Sequence, residues 1–424
     1  MPRDLTEADI FTAFSDLEND VVQEPFIKRK AMDVATPIEE YSFFADRVQD
    51  NADAVVGIRA KIPFKTKNNN SLRPITRTGY FPDGNPLAVD SMTFTLKGVA
   101  GTAMVTHEDV LATNGDHVLL AELMTDALQD IYDNYPRYRR QSIWSPTSGV
   151  LCQAASFASG TLTVTCDNAG LYNSHVYDRV KWIWRNMYLA VYSSAGAFKG
   201  IVQVVSKDET AGTFVVDADT TPTGIADNDV FVVSDIAGAE TGYNNSGPSI
   251  FDILDDDNTF QGVDRSVAAN AWAQAQVYGN SGTGRLPTYS VLSTFFHNLY
   301  KPKYGFTDYR VIDYYWSTYL RDNVRFVQGN KSRQYIDGYT AVEVDKTMLV
   351  EDADAPNDKI LVADFMNTFY YTKGTLENPR GEGWVRVAKR PYYEYNLIQY
   401  ALLGFEGDAR RVGRLDDIDI TAES

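Results

Sequence analysis

The chain holds only 2 cysteines and 4 histidines in 424 residues. Two cysteines, Cys152 and Cys166, exclude a disulfide framework and a four-cysteine zinc site. Their spacing would fit a hairpin pair, but two reduced, buried thiols are the favoured reading. His107, His117, His175 and His297 include no HxH or HxxxH pair, so a histidine-ligated metal motif has no support and surface or capping roles suit them better. A G-x-S-x-G elbow is absent, and with it any sequence support for a hydrolase triad. Runs of five or more Lys/Arg are absent too. The balance is 39 basic against 57 acidic residues, a formal net charge of -18, which argues against a protein that coats or reads nucleic acid by neutralising phosphates. The basic spots Lys28-Arg29-Lys30, Arg137 with Arg139-Arg140, and Arg410-Arg411 with Arg414 are short clusters that read as solvated faces or ion-pairing patches. No stretch reaches about 18 consecutive apolar residues, and Met1-Pro2-Arg3-Asp4 runs into an amphipathic pattern with no apolar leader. The expectation is a soluble protein made in a reducing cytoplasm, with no membrane partner.

What is abundant is apolar and aromatic. Hydrophobic residues make up 44% of the chain, with 26 Tyr, 21 Phe and 6 Trp, which suits a folded protein and excludes disorder as its main state. Ile10, Phe14, Leu17 and Val21 fall on one helix face. Pro25 and Pro37 break the pattern beyond Val21, so residues 1–50 read as an arm that packs on something else. Val56, Ile58, Ala60 and Ile62 alternate. A polar tip, Lys65 to Ser71, comes next, and the chain returns through Ile75–Thr78 and Met92–Leu96. This is a long hairpin with little core of its own, and such a hairpin is marginal in water unless it lies on a neighbour. Thr106-His107-Glu108-Asp109 resembles a capping box. Beyond it Leu120, Met124, Ala127, Leu128 and Ile131 form one stripe of a helix over about 116–135, which Pro136 stops or kinks.

Residues 150–236 change character. Leu162–Cys166, Tyr188–Tyr192, Ile201–Val205, Thr213–Val216 and Val230–Val233 are short strands between turns, the pattern of a small barrel or sandwich inserted in the chain. Beyond 237 the pattern is α+β. Helices are expected over about 264–278 and 288–301. Strands are expected at Tyr309–Ile312, Ala341–Val344, Ile360–Ala363 and Trp384–Val387, the last leading into Leu397–Leu403. The acidic tail from Asp416 reads as solvated. Gly279-Asn-Ser-Gly282-Thr-Gly284 lacks the ending of a phosphate-binding loop and reads as a flexible helix–helix connection. Asp252, Asp255, Asp256 and Asp257 could hold a cation, but the EF-hand spacing fails, and the favoured reading is an acidic flank at the start of the next helix. Neither a catalytic residue nor a cofactor-binding or metal site is assigned.

The order of parts, together with one stretch, carries a family resemblance. Ile250–Ser266, with Asn258-Thr259, Gly262-Val263-Asp264-Arg265-Ser266 and the downstream Trp272, resembles a segment of tailed-bacteriophage major capsid proteins of the Hong Kong 97-like fold. Ile360–Phe365 with Phe369-Tyr370 is similar to the strand pair near the end of that family's core. The resemblance implies an N-terminal arm (1–50), an E-loop hairpin (51–112), a P-domain spine helix (113–149), the inserted β-domain (150–236), an A-domain (237–375), and P-domain return strands with a tail (376–424). It implies a non-enzymatic, self-assembling subunit of hexamers and pentamers in an icosahedral virion capsid, assembled in the host cytoplasm. Such a shell encloses double-stranded DNA without sequence-specific binding and meets portal, scaffolding or decoration proteins. Inter-subunit contact candidates are Phe14 and Leu17 on the arm and Lys65, Lys67, Asn69, Arg73 and Arg77 on the hairpin. Asn258, Gly262, Asp264, Arg265 and Trp272 are the A-domain motif. A Lys–Asn cross-link between subunits, as in some relatives, would draw on Lys65 or Lys67 with Asn396 and Glu394, but no motif aligns them. Acidity fits a DNA container, whose wall need not attract its contents. Alternatives are an encapsulin-type nanocompartment shell or, less favoured, a β-rich carbohydrate-binding or hydrolytic protein with the Asp255 cluster as its site.

Overall fold

The computed structural model describes residues 42–65, 74, 89–112, 117–146, 149–167, 177–218, 224–234, 243, 245–300, 302–316, 334–336, 339–379, 383–387 and 391–420. Phe14, Leu17, Lys67, Asn69, Arg73 and Arg77 lie outside these, as do residues 1–41 of the arm and the hairpin tip. Two compact units divide the chain: residues 100–137 with 376–398 belong to the first, and residues 40–99, 138–375 and 399–424 to the second.

The second unit is built around a mixed seven-stranded sheet of described strands. In spatial order these are Gln276–Tyr278, Gly413–Leu415, Ile360–Val362, Tyr304–Thr307, Thr347–Glu351, Tyr339–Val344 and Gln334–Ile336. Its inner strands read Ile-Leu-Val and Met-Leu-Val because both faces are covered. Alternate residues go to opposite sides. Leu349, Ile360, Val362 and Leu415 pack with Leu292, Phe295 and Phe296 of the helix Tyr289–Asn298 and with Val311 and Ile312 of the helix Tyr309–Asp313. Val350, Leu361 and Phe306 face a larger cluster with Phe43, Phe44, Trp144 and Phe251. That cluster continues into a closed six-stranded barrel formed by Val150–Ala158, Thr163–Cys166, Tyr188–Tyr192, Phe198–Asp208, Thr213–Val216 and Val230–Val233. Cys152, Val164, Val191, Val204, Phe214 and Phe231 fill the barrel, so sheet and barrel share one core. Both cysteines are free and buried. Burial and a hydrogen bond with Cys166 hold the Cys152 thiol well above its ordinary range.

Several expectations are corrected. Tyr309–Asp313 is a helix, not a strand, because the Asp308 carboxylate caps it by accepting from the Arg310 N–H at 2.8 Å. Residues 264–278 are not one helix. A two-residue hairpin, Thr259–Phe260 with Val263–Asp264, leads into a 3-10 turn at Ala268–Ala273 and then the strand Gln276–Tyr278. The long helix runs His117–Trp144 and does not stop at Pro136. Its final turn, Gln141–Trp144, is wholly buried, and this tertiary packing outweighs the one hydrogen bond that proline removes. The tail is not free in solvent as far as its described residues go. Ile418 is buried and Asp417 Oδ2 accepts from the Asn280 and Gly282 N–H groups at 2.6 and 3.1 Å. The Gly279–Gly284 segment is therefore a strand-to-helix connection folded around a carboxylate.

In the first unit, Lys97–Thr106 pairs with Tyr392–Phe405, and Val385–Arg386 pairs with the same strand at Val385↔Glu394. Residues 117–137 of the long helix belong here. The half-buried positions Met124, Ala127, Leu128, Ile131 and Tyr135 recur at helical spacing. Gly101 lies under Ile131, where a Cβ would come within 2.8 Å of its Cγ2.

Candidate assembly motif and surfaces

The stretch singled out by sequence is a self-bracing loop. Ser249 caps the short helix Ile250–Ile253, and its side chain and that of Asp252 complete a reciprocal capping box. Asp252 is thus used inside its own turn. The acidic cluster leads into the hairpin at Thr259 rather than into a helix, so its reading as a helix flank fails. The side chain of Arg265, 3% exposed, turns back into this turn. Its Nη1 donates to the carbonyls of Asp252, Ile253 and Asp255 at 3.1, 3.0 and 2.7 Å, and its guanidinium lies over the Phe260 ring. Burial lowers Arg265 to about 10, while Asp255, Asp252 and Asp256 oppose that shift; the side chain therefore remains charged near neutrality. Asn258 Nδ2 donates to the Asp252 carbonyl at 2.9 Å, and the Asn258 carbonyl accepts from the Arg265 N–H. Asp264 Oδ1 accepts from the Ser266 N–H and hydroxyl at 3.0 and 2.6 Å, and its carbonyl accepts from Asn270. Most of these contacts order backbone.

The same loop meets the hairpin base. Arg59–Lys65 pairs with Val89–Thr95 in register from Arg59↔Thr95 to Lys65↔Val89. Gly262 has φ +80° and passes so close to the Thr93 carbonyl oxygen that a Cβ would stand 2.9 Å from it, so glycine is required twice over. Phe64 stacks on Trp272 at 4.3 Å between ring centroids. Ala60, Ile62 and Leu96 are buried with Tyr371 and Leu402. The hairpin base is therefore anchored on its own chain, more firmly than its sequence suggests. Burial does not extend to the residues ahead of Arg59: Val56 is 80% and Ile58 48% exposed. Lys65 is exposed at the end of its strand.

Asp255, Asp256 and Asp257 bring carboxylate oxygens within 4.8 Å of one another. Asp255 is held above its ordinary range by burial, with Arg414 at 3.3 Å opposing this. An arginine in the cluster makes it an ion-pair patch. Asn396 accepts from the Thr102 hydroxyl at 2.8 Å.

A buried node at Asp352 has no sequence signal, because its partners are some 310 residues apart. Asp352 Oδ2 accepts from the Ser42 hydroxyl at 3.0 Å and the Phe44 N–H at 2.9 Å, and Oδ1 accepts from the Asp354 N–H at 3.0 Å. Ser42 Oγ also accepts from Trp144 Nε1 at 2.9 Å. Asp354 is paired by Arg140 and, at 3.0 Å, by Lys181.

The first unit differs from the second in one respect. Its buried apolar side chains among the described residues are Ala103, Val105, Leu376 and Leu397, and none belongs to a hydrophobic cluster. From Ala121 to Arg137 no helix residue is buried.

No protein-family model matches the chain, and no curated protein matches it in sequence. Solved structures to which it is similar include the capsid of an empty GTA particle (8% identity, 92% of this chain and 94% of the other covered, TM-score 0.47). The cyanophage A-1(L) capsid is similar at 11% identity, with 93% and 99% covered and a TM-score of 0.46. An encapsulin complex from Synechococcus elongatus is similar at 10% identity, with 93% and 95% covered and a TM-score of 0.42.

Proposed function

We propose that the chain is a major capsid protein of a tailed bacteriophage, a non-catalytic subunit that self-assembles into the hexamers and pentamers of an icosahedral head enclosing double-stranded DNA. The observation that carries this reading is that none of the described residues of the first unit joins a hydrophobic cluster. A stripe of Met124, Leu128 and Ile131, with Leu123 and Tyr132 more exposed still, sits on a helix with no buried residue over 121–137. Apolar surface left half-covered by its own chain gains stability when another copy covers it, at about 25 cal/mol per Å². Summed over a closed shell, modest contacts suffice. The domain names 1–50, 51–112, 113–149, 150–236, 237–375 and 376–424 belong to this proposal, as do portal, scaffolding and decoration partners and assembly in a host cytoplasm. Arg265 and its neighbours serve as internal bracing that presents the hairpin base, and Lys65 is the described contact candidate.

The test replaces residues 66–88 with a two-residue turn, which keeps Ala60 and Ile62 in place. The expected product is a folded subunit that forms no closed shell. Normal shells from this variant would refute the assignment of the hairpin. An encapsulin-type shell is the alternative outcome, distinguished by particles that carry protein cargo and no DNA.

A further inference from the structure

The node at Asp352 ties together four parts of the second unit: Ser42–Val48, the last turn of the long helix, Lys181 between the barrel strands Thr163–Cys166 and Tyr188–Tyr192, and the loop after Thr347–Glu351. The Ser42–Val48 segment is seated by two rings. Phe43 and Phe44 are buried, with Phe44 edge-on to Trp144 and Phe306. Two of its donors, the Ser42 hydroxyl and the Phe44 N–H, converge on one oxygen of one carboxyl. The charged groups around this carboxyl among the described residues are Asp354 on its own loop, Arg140 on the helix, Lys181 between two barrel strands and paired with Asp354, and, beyond Arg140, Asp46 on the segment itself. Both nearby cations are bonded to Asp354, not to Asp352. An ionised Asp352 is thus a buried charge beside a second carboxylate, with three neutral donors and no cation bonded to it.

We propose that Asp352 is a proton-operated clasp: protonated, it holds Ser42–Val48 onto the sheet, and on losing its proton to solvent it loosens that segment, which directly follows residues 1–41. The clasp lies within one chain and stands whether or not the chain forms shells. Burial first and Asp354 second push Asp352 up to about 7, against the pull of the Phe44, Asp354 and Ser42 hydrogen bonds. The sign follows from linkage. A carboxyl raised in the closed state and ordinary in the open state favours closure fully below the open-state value near 4. That advantage is lost as pH rises to about 7 and is gone above it.

The test is amide hydrogen exchange at Phe44 in the full chain from pH 5.0 to 8.5, corrected for the intrinsic chemical rate. The opening constant should rise by up to ~10-fold per pH unit, then level off near neutrality. D352N should abolish the rise. S42A removes a donor that favours the charged form, so its plateau should begin at higher pH than in the unaltered chain. A flat profile for the unaltered chain below pH 7, or an undiminished rise in D352N, overturns the proposal. If D352N does not fold, an S42A profile superimposable on that of the unaltered chain overturns it instead.

Discussion

Replacing Arg265 with methionine probes whether the loop at 249–266 is braced as its geometry implies. Methionine keeps an unbranched apolar stem in place of the arginine's and offers no donor. The carbonyls of Ile253 and Asp255 then lose the donor that each now has at 3.0 and 2.7 Å, while the Asp252 carbonyl keeps the Asn258 Nδ2 donor. A buried acceptor stranded in this way costs about 1–3 kcal/mol, and two give roughly 2–6. Against this, the buried guanidinium is itself costly. Its fall from 12.5 to about 10 corresponds to about 3 kcal/mol of disfavoured charge that methionine does not carry. The difference is at most about 3 kcal/mol of local stability and is centred near ~1 kcal/mol. The readout is exchange of the Leu254 amide, which bonds to the Ile250 carbonyl inside the capped turn. A loss of about 1 kcal/mol speeds exchange ~5-fold, and one of about 3 kcal/mol ~150-fold, if the turn opens locally. Exchange no faster than in the unaltered chain would mean that Arg265 does not hold the turn, and the bracing account would fail.

Two further outcomes follow from packing. Gly413 pairs with Gln276, whose carbonyl oxygen occupies the place a Cβ would take, so G413A should push the strand pair apart and cost about 1–3 kcal/mol by overpacking; thermal unfolding reports it, and an unchanged midpoint would contradict the register. Cys152 and Cys166 should resist a thiol reagent at pH 8 in the native protein and both react in denaturant. The cause is that burial and the neighbouring thiol keep Cys152 protonated well beyond that pH; rapid native labelling, or a mass two daltons low, would contradict two free buried thiols.

Local periodicity makes much of the fold legible. Thr163–Cys166 and Thr213–Val216 alternate half-buried and buried residues, and that alternation is visible as written. Val150–Ala158 escapes detection because its first five residues are buried in succession, with no period to find. Tyr309–Asp313 resembles a strand in its aromatic and β-branched residues, although Asp308 stands ahead of it as a cap signal. Residues 264–278 carry a helical pattern, but Arg265 directs its donors to carbonyls 10–13 positions back, a contact that spacing rules do not reach. The motif Asn258, Gly262, Asp264, Arg265 and Trp272 does come together, as bracing around the hairpin base. The Asp352 node is invisible in the sequence because its parts meet only in the folded chain.

The central claim is that this chain builds a closed shell with copies of itself. Electron microscopy of the purified full chain tests it most directly, paired with sedimentation of the same sample. The account predicts uniform icosahedral particles, or rings of five and six subunits that close into them, sedimenting far ahead of a single 47.4 kDa chain. A monodisperse monomer whose residues 121–137 are fully stable on their own would contradict it.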